Sequence, residues 1–390
     1  MRVAIITERA NIALGGAERS IFELTATMAL FGVDVKILAA TGTTHSRKVR
    51  VLFPDSQKRI SFKVFGDALL EHLKENKYDI IHSTLPFDFA DIYQPRGGSY
   101  TEAAIRNAAS YKNNCVRFFK LLTSFMNSKR TTLVRAEKNI CKKENGPIVA
   151  CLSEYVKKQF QNHYSVPDSR IRVIPNGIKL IRNYDKSRVD KMRSQILSQF
   201  NIKEADEPVF FLFAANNFRL KGLLSLIHAM AIVKEKLTKR PAYLIVAGRG
   251  QINKYRRIAA NAGVKDRVLF MGQTGNVQNL LMLSDVAVLP TYYDPASRFI
   301  LEALGAGKPV ITTKFNGASD LFVADKHGKV FDSPDNIEAL AEAVRYFCST
   351  ENINAAAKAI VDDDIKSKVS IKAHCEKLLK VYQEIIPNRK

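Results

Sequence analysis

Cysteine is scarce and poorly placed for structural work. The five in this 390-residue chain (Cys115, Cys141, Cys151, Cys348 and Cys375) are odd in number, scattered and never in C-x-x-C spacing. That excludes a disulfide framework and a zinc site, and points to reduced thiols in a cytosol. No apolar run approaches the ~20 residues that span a bilayer. The opening stretch Met1–Glu8 meets charge too soon for a signal peptide and reads as a first strand, so a cytoplasmic location is expected. Acids are also in short supply, 38 Asp and Glu against 60 Lys and Arg, for a net charge of +22. Such a surplus implies anionic partners: phosphorylated substrates, an acidic membrane face or nucleic acid. No recognised nucleic-acid module accompanies the charge, so no specific nucleic-acid partner is expected. The one acid cluster, Asp362-Asp363-Asp364, sits among helical segments far from the glycine loops. It reads as a solvated cap, and no metal site is expected.

What is present is a strand–helix rhythm long enough for two domains, with the 46% hydrophobic and 25% charged content of a soluble globular protein. The first half reads as strand Val3–Thr7, a glycine loop through Gly15-Gly16 and a helix to Leu30, then strands at Asp34–Ala39, Arg59–Val64 and Tyr78–Ser83. Helix is expected from Ala68 to Glu75. Such alternation implies a parallel, doubly wound sheet whose ligands bind at the carboxyl ends of its strands. His82 is placed at such an end. Asp91 and Arg96 lie in the glycine-broken loop Pro86–Tyr100, and all three are candidates on the acceptor side.

Ala103–Lys143 is helical in propensity and strongly basic, with Phe118, Phe119, Leu121, Leu122, Phe125 and Met126 interleaved. Lys112, Arg117, Lys120, Lys129 and Arg130 are therefore candidates for contact with an anionic membrane. The competing reading is a solvated basic helix whose apolar face packs on the core. A Pro-Asn-Gly turn at Pro175–Gly177 and the polar stretch Lys179–Lys191 mark the domain boundary.

The second half repeats the rhythm. Arg219 and Lys221 precede a helix near Leu223, where two cations and unpaired N–H groups suit a diphosphate. Gly248 closes the strand Ala242–Ala247. After Val286–Leu289 comes a loop with Asp294, then a helix from Arg298 to Ala306 carrying Glu302. The first-turn N–H groups around Ser297, Arg298 and Phe299 would seat an anion between the two acids.

These residues carry a resemblance. Gly15-Gly16-Ala17-Glu18, Val173-Ile174-Pro175-Asn176-Gly177-Ile178, Arg219/Lys221-Gly222 and the acid-x7-acid stretch occur in the order seen in GT-B retaining glycosyltransferases of family 4. Within that family the chain looks most like the lipopolysaccharide core glucosyltransferases. The resemblance implies an α/β GT-B fold of two Rossmann-like doubly wound domains facing a cleft. Residues 1–178, completed by about 372–390, would form the acceptor-side domain and 179–371 the nucleotide-sugar domain, with the C-terminal helix crossing back. It implies metal-independent transfer of glucose from UDP-glucose, with no other cofactor, to a phosphorylated glycan or lipid-linked acceptor such as the lipopolysaccharide core. The protein would be cytoplasmic, peripheral on the cytoplasmic face of the inner membrane.

By the same resemblance Gly15, Gly16 and Gly248 would approach the donor, and Arg219 and Lys221 would neutralise the leaving diphosphate. Asp294 would meet the sugar hydroxyls and Glu302 the ribose. Two departures from the family stand out. The first acid is aspartate rather than glutamate, and the loop holding the family's histidine or aspartate reads Gln94-Pro95-Arg96-Gly97-Gly98. Rival readings are a GT-B epimerase or phosphorylase, though no pyridoxal-phosphate lysine stands out, and a basic membrane- or RNA-binding scaffold without activity.

Overall fold

Apolar runs without polar alternation, such as Val209–Ala214 and Ala242–Ala247, are what a strand covered on both faces requires, and they become the buried strands of parallel sheets. The computed structural model describes residues 1–390 apart from 12–15, 44–45, 55, 57–58, 125, 182–183, 237, 276 and 389–390. The chain divides into two compact units, one of residues 1–108, 112–179 and 371–390, the other of 109–111 and 180–370.

The first unit runs β1 (Arg2–Ala10), α1 (Gly16–Leu30), β2 (Asp34–Gly42), β3 (Val49–Val51), α2 (Phe62–Glu75), β4 (Ile80–Ser83) and β5 (Ile92–Tyr93). It continues through α3 (Tyr100–Ala109), α4 (Asn114–Ser124), α5 (Ser128–Lys142), β6 (Ile148–Cys151), α6 (Glu154–Tyr164) and β7 (Ile171–Val173). Its strands form one parallel sheet in the order β3-β2-β1-β4-β5-β6-β7, so the order reverses between β1 and β4. Arg59–Val64, expected as a strand, instead ends a loop and opens α2, with Ser61 Oγ accepting the Val64 N–H. The alternation of Ile60, Phe62 and Val64 mimics a strand, yet Phe65, Gly66 and Leu69 are the buried residues on this helix, with Phe65 and Leu69 at helical spacing.

The second unit holds α7 (Lys186–Phe200), β8 (Val209–Ala214), α8 (Leu223–Glu235), β9 (Ala242–Ala247), α9 (Ile252–Asn261), β10 (Val268–Gly272) and α10 (Val277–Leu283). Then follow β11 (Val286–Leu289), α11 (Arg298–Gly305), β12 (Val310–Thr313), β13 (Gly328–Phe331), α12 (Ile337–Tyr346), α13 (Thr350–Asp362) and α14 (Ile365–Lys368). The parallel order β10-β9-β8-β11-β12-β13 reverses between β8 and β11. Asp362 and Asp363 pair with Lys358 and Lys326, and Asp364 caps α14.

The last helix, α15 (Ile371–Ile385), belongs to the first unit. Cys375, Leu378, Val381 and Tyr382 are buried with Leu24 and Met28 of α1 in one apolar cluster. Its start is fixed by the Ile371 N–H on Ile178 O and by His374 Nδ1 on Pro175 O at 2.7 Å. The lone apolar face of the C-terminal helix thus packs on the N-terminal sheet.

Candidate functional site

In a doubly wound sheet the loops diverge where strand order reverses, and that opening is where ligands fit. In the second unit the opening lies between β8 and β11, and both loops there are held by hydrogen bonds rather than by chance. Leu220 O accepts the Tyr292 N–H at 2.9 Å and the Thr291 hydroxyl at 3.2 Å. Gly222, at φ +79°, caps α8, and a Cβ there would stand 1.9 Å from Pro290 O. Only glycine lets the two loops approach so closely.

That approach brings Lys221 to Asp294. The Lys221 Nζ donates to Asp294 Oδ2 at 2.6 Å and to Tyr293 O at 2.9 Å. The two side chains are only 19% and 16% exposed, so the pair is shielded from solvent. Seventy-three positions separate them in sequence, and the strand reversal joins them.

Asp294 is fixed from the other side by the residues after β12. Its N–H donates to Phe315 O at 2.9 Å, its carbonyl accepts the Gly317 N–H at 2.9 Å, and it forms an isolated bridge with Asn316. Asn316, fully buried, also holds the start of α11: its Oδ1 accepts the Ser297 N–H at 3.2 Å and the Ala318 N–H at 3.1 Å, while Nδ2 donates to Thr312 Oγ1 at 2.9 Å. Ser297 caps α11, its Oγ accepting the Ile300 N–H. The Ser297 N–H, expected to face an anion, is therefore spent on Asn316. The N–H groups of Arg298 and Phe299 belong to the first turn, which lacks carbonyl partners within the helix, while the Phe299 ring is buried. One turn on, Glu302 Oε1 lies 3.6 Å from the Arg298 guanidinium, and both side chains are largely enclosed.

Sequence reasoning did not single out Asn316. Its signal, an Asn-Gly pair closing a strand, reads as an ordinary turn, and nothing local shows that it spans two elements.

Arg219 makes contacts of its own, two residues before Lys221. Its guanidinium lies 3.8 Å from the centre of the Tyr111 ring and donates to Ser110 Oγ, within the short segment 109–111 of the same unit. Gly248, at φ +122°, donates its N–H to Gly272 O at 2.8 Å, and a Cβ there would meet Ala215 O at 1.8 Å. Its need for glycine is thus already met by packing of the β8 and β9 loops. Gly248→Ala is expected to destabilise the fold by about 2 kcal/mol, read as a lower denaturant midpoint at unchanged slope.

In the first unit Gly15 lies outside the described residues, and Gly16 opens α1 in an exposed position. Two acceptor-side candidates are corrected. His82, 1% exposed, is enclosed beneath α15 with Nδ1 2.6 Å from the Tyr382 hydroxyl. Burial, then the nearby Arg96 charge, pushes its pKa down to about 3, so it is a neutral core histidine. Asp91 precedes β5 at the amino end of the strands, where its Oδ2 accepts the Ile81 N–H at 2.6 Å. The strand β5 of two residues is too short to show a period, so the sequence placed Asp91 in a loop of unknown direction. Arg96 follows β5 at the carboxyl end, donates to Gln94 Oε1 at 2.9 Å, and lines a cavity of about 350 Å³ with Thr7, Glu8, Arg9 and Thr84.

The basic segment forms three helices rather than one. On α4 and just after it Phe118 is 72% exposed and Met126 78%, with Phe119 and Leu122 also outward. Lys112, Arg117 and Lys120 lie on or just before that helix. Arg130 donates to Ser124 Oγ, and Lys129 turns back to Glu8, with its Nζ 2.6 Å from Oε1.

Residues 14–182 match the family model described as Glycosyltransferase Family 4, and residues 195–360 the one described as Glycosyl transferases group 1. The lipopolysaccharide glucosyltransferase WaaG of Escherichia coli (strain K12) is 30% identical over 187 residues, 48% of this chain and 49% of that protein. The matched stretches span about half the length of the curated relatives. Among solved structures, that of WaaG superposes with a TM-score of 0.67 at 21% identity, over 100% of this chain and 96% of that one. The structure of Anabaena Alr3699/HepE in complex with UDP-glucose gives 0.67 at 16% identity, over 98% and 100%. At those identities the likeness is one of fold: two parallel-sheet Rossmann-like units of the GT-B class.

Proposed function

Because the chain belongs to the glycosyltransferases of family 4 and group 1, we propose that it transfers a hexose, glucose, from UDP-glucose to a phosphorylated cell-envelope glycan such as the lipopolysaccharide core. The transfer retains anomeric configuration and requires no metal. The observation that carries the reading is the shielded Lys221–Asp294 pair at the strand reversal, four residues from the start of α11. A likeness to a lipopolysaccharide glucosyltransferase and to a fold that binds UDP-glucose supports the donor and acceptor named.

In this reaction the bond from the anomeric carbon to the β-phosphate oxygen stretches, and negative charge grows on the departing UDP. Lys221 and the first-turn N–H groups of α11 meet that charge, and being fixed beforehand they need not reorganise as it forms. Asp294, now holding Lys221, shares that ammonium with the phosphate and accepts hydroxyls of the sugar. Glu302, beside the Arg298 guanidinium, accepts the ribose hydroxyls. The acceptor hydroxyl attacks the anomeric carbon from the face that UDP leaves, and its proton passes to the departing phosphate oxygen. One C–O bond breaks, one forms, and the products are UDP and the glycoside.

A panel of nucleotide sugars tests the reading. Slow hydrolysis of UDP-glucose by the native chain, lost in Glu302→Ala, is the expected result. Failure to bind any nucleotide sugar removes it.

The enzyme works at an anionic inner-membrane surface, peripheral on its cytoplasmic side. No helix among the described residues is long and apolar enough to cross a membrane, whereas α4 presents outward aromatics beside cations, the pattern of an interfacial helix. Sedimentation with phosphatidylglycerol vesicles is expected to fall at least tenfold in a Lys112→Glu/Arg117→Glu/Lys120→Glu variant. Salt-insensitive or unchanged binding sinks this placement.

A further inference from the structure

The other end of Glu8 opens on a second cavity that the donor chemistry does not use. It measures about 370 Å³ and lies wholly in the first unit. Glu8 of β1, Ala40 of β2 and Leu85 after β4 place it at the carboxyl edge of the sheet, where ligands of such folds bind. Glu8 and Leu85 also line the Arg96 cavity, so the two spaces adjoin.

Three cations, Arg59, Lys63 and Lys129, line this space against a single acid among its described residues, Glu8. Lys129 holds both Glu8 oxygens, at 2.6 and 2.9 Å, and Arg59 Nε stands 3.8 Å from Oε1. The local balance is therefore three positive charges to one negative. The first turns of α2 and α5 also reach it, through Ser61 and Phe62 and through Ser128 and Lys129, and neither first turn carries an acid. Both helix dipoles thus add positive potential with no acid in either first turn to balance it. Apart from Thr132 the remaining wall is apolar, and its Phe62 is backed by Phe87, stacked at a ring separation of 4.4 Å. A flat apolar wall, one carboxylate for hydroxyls and an uncompensated cationic rim together fit a sugar that bears a phosphate.

We infer that this cavity is an acceptor subsite for a phosphorylated sugar, with Arg59, Lys63 and Lys129 on the phosphomonoester and Glu8 on ring hydroxyls. The inference rests on the proposed transfer in one respect only, that the bound sugar is the acceptor. When the phosphate enters, Lys129 is shared between it and Glu8, which frees carboxylate lone pairs for the sugar. The subsite selects acceptors by charge and does no chemistry of its own.

Calorimetry on the full chain tests it with glucose 6-phosphate, glucose and inorganic phosphate as probes, and UDP-glucose as a separate titrant. Glucose 6-phosphate is expected to bind at least tenfold tighter than glucose. That preference should disappear in Arg59→Ser/Lys63→Ser, two exposed positions whose loss leaves the fold and UDP-glucose affinity intact. Equal affinity for the two sugars overturns the subsite, as does an unchanged preference in the double variant. A variant that keeps the preference but loses phosphatidylglycerol vesicles also overturns it and assigns the cations to lipid headgroups. If UDP-glucose fails to bind while the sugar phosphate binds as stated, the transferase reading and the acceptor role fall together, and the sugar-phosphate site stands.

Discussion

Lys221→Ala is expected to lower kcat with UDP-glucose by about 10²–10³, with a far smaller change in KM. A preorganised donor to a developing anion contributes about 3–4 kcal/mol, and each 1.4 kcal/mol is tenfold in rate. Lys221 is placed for that work: Nζ is held at 2.6 Å by Asp294 and at 2.9 Å by Tyr293 O, so its position is set before a ligand arrives. The substitution also strands the Asp294 carboxylate in a shielded place, which costs stability as well as rate. Lys221→Arg separates the two effects. It keeps the charge and a partner for Asp294, and so should recover stability, but its broader fork cannot take both positions held by Nζ. Single-turnover rates and thermal melts on both variants decide. A loss confined to KM would take Lys221 away from the leaving group and make it a ground-state contact.

The rhythm of this fold was legible wherever strands are covered on both faces. Val209–Ala214 and Ala242–Ala247 are uninterrupted apolar runs, as strands covered on both faces require. Where burial is partial the signal fades. Helix α7 buries only Val189 and Ile196, one narrow stripe in a polar sequence, so its first residues pass for part of the polar boundary stretch Lys179–Lys191. Lys221 and Asp294 stood out as polar residues just beyond apolar strands. Their contact could not be read, because it depends on the order of strands in the sheet. His82 misled for a related reason: it ends a strand as a ligand residue would, but a helix 300 residues later supplies its partner.

Glu137 makes the stability of the first unit depend on pH in the direction opposite to most carboxylates. It is fully buried, and it accepts hydrogen bonds from the Tyr93 hydroxyl at 2.7 Å, the Tyr164 hydroxyl at 2.6 Å and the Tyr100 N–H at 2.9 Å. Burial outweighs those three donors and raises its pKa to about 7, whereas in the unfolded chain a glutamate titrates near 4.3. Between those values the folded protein holds one proton more than the unfolded chain. Stability therefore declines as pH rises from about 4.5 to about 7 and levels off above, by up to about 3 kcal/mol. Nearby Glu102 has the reverse sign: although burial raises its pKa, the Arg106 and His163 contacts win and lower it, so its contribution is lost in acid. The comparison must therefore be made against Glu137→Gln. Its amide has no proton to exchange, and it keeps one acceptor for the tyrosine donors. The difference between the two melting curves is expected to change steadily from pH 5 to pH 7 and to be flat from pH 7.5 to pH 9. A difference curve flat throughout would mean that Glu137 is ionised at all these pH values, held so by its hydrogen-bond donors.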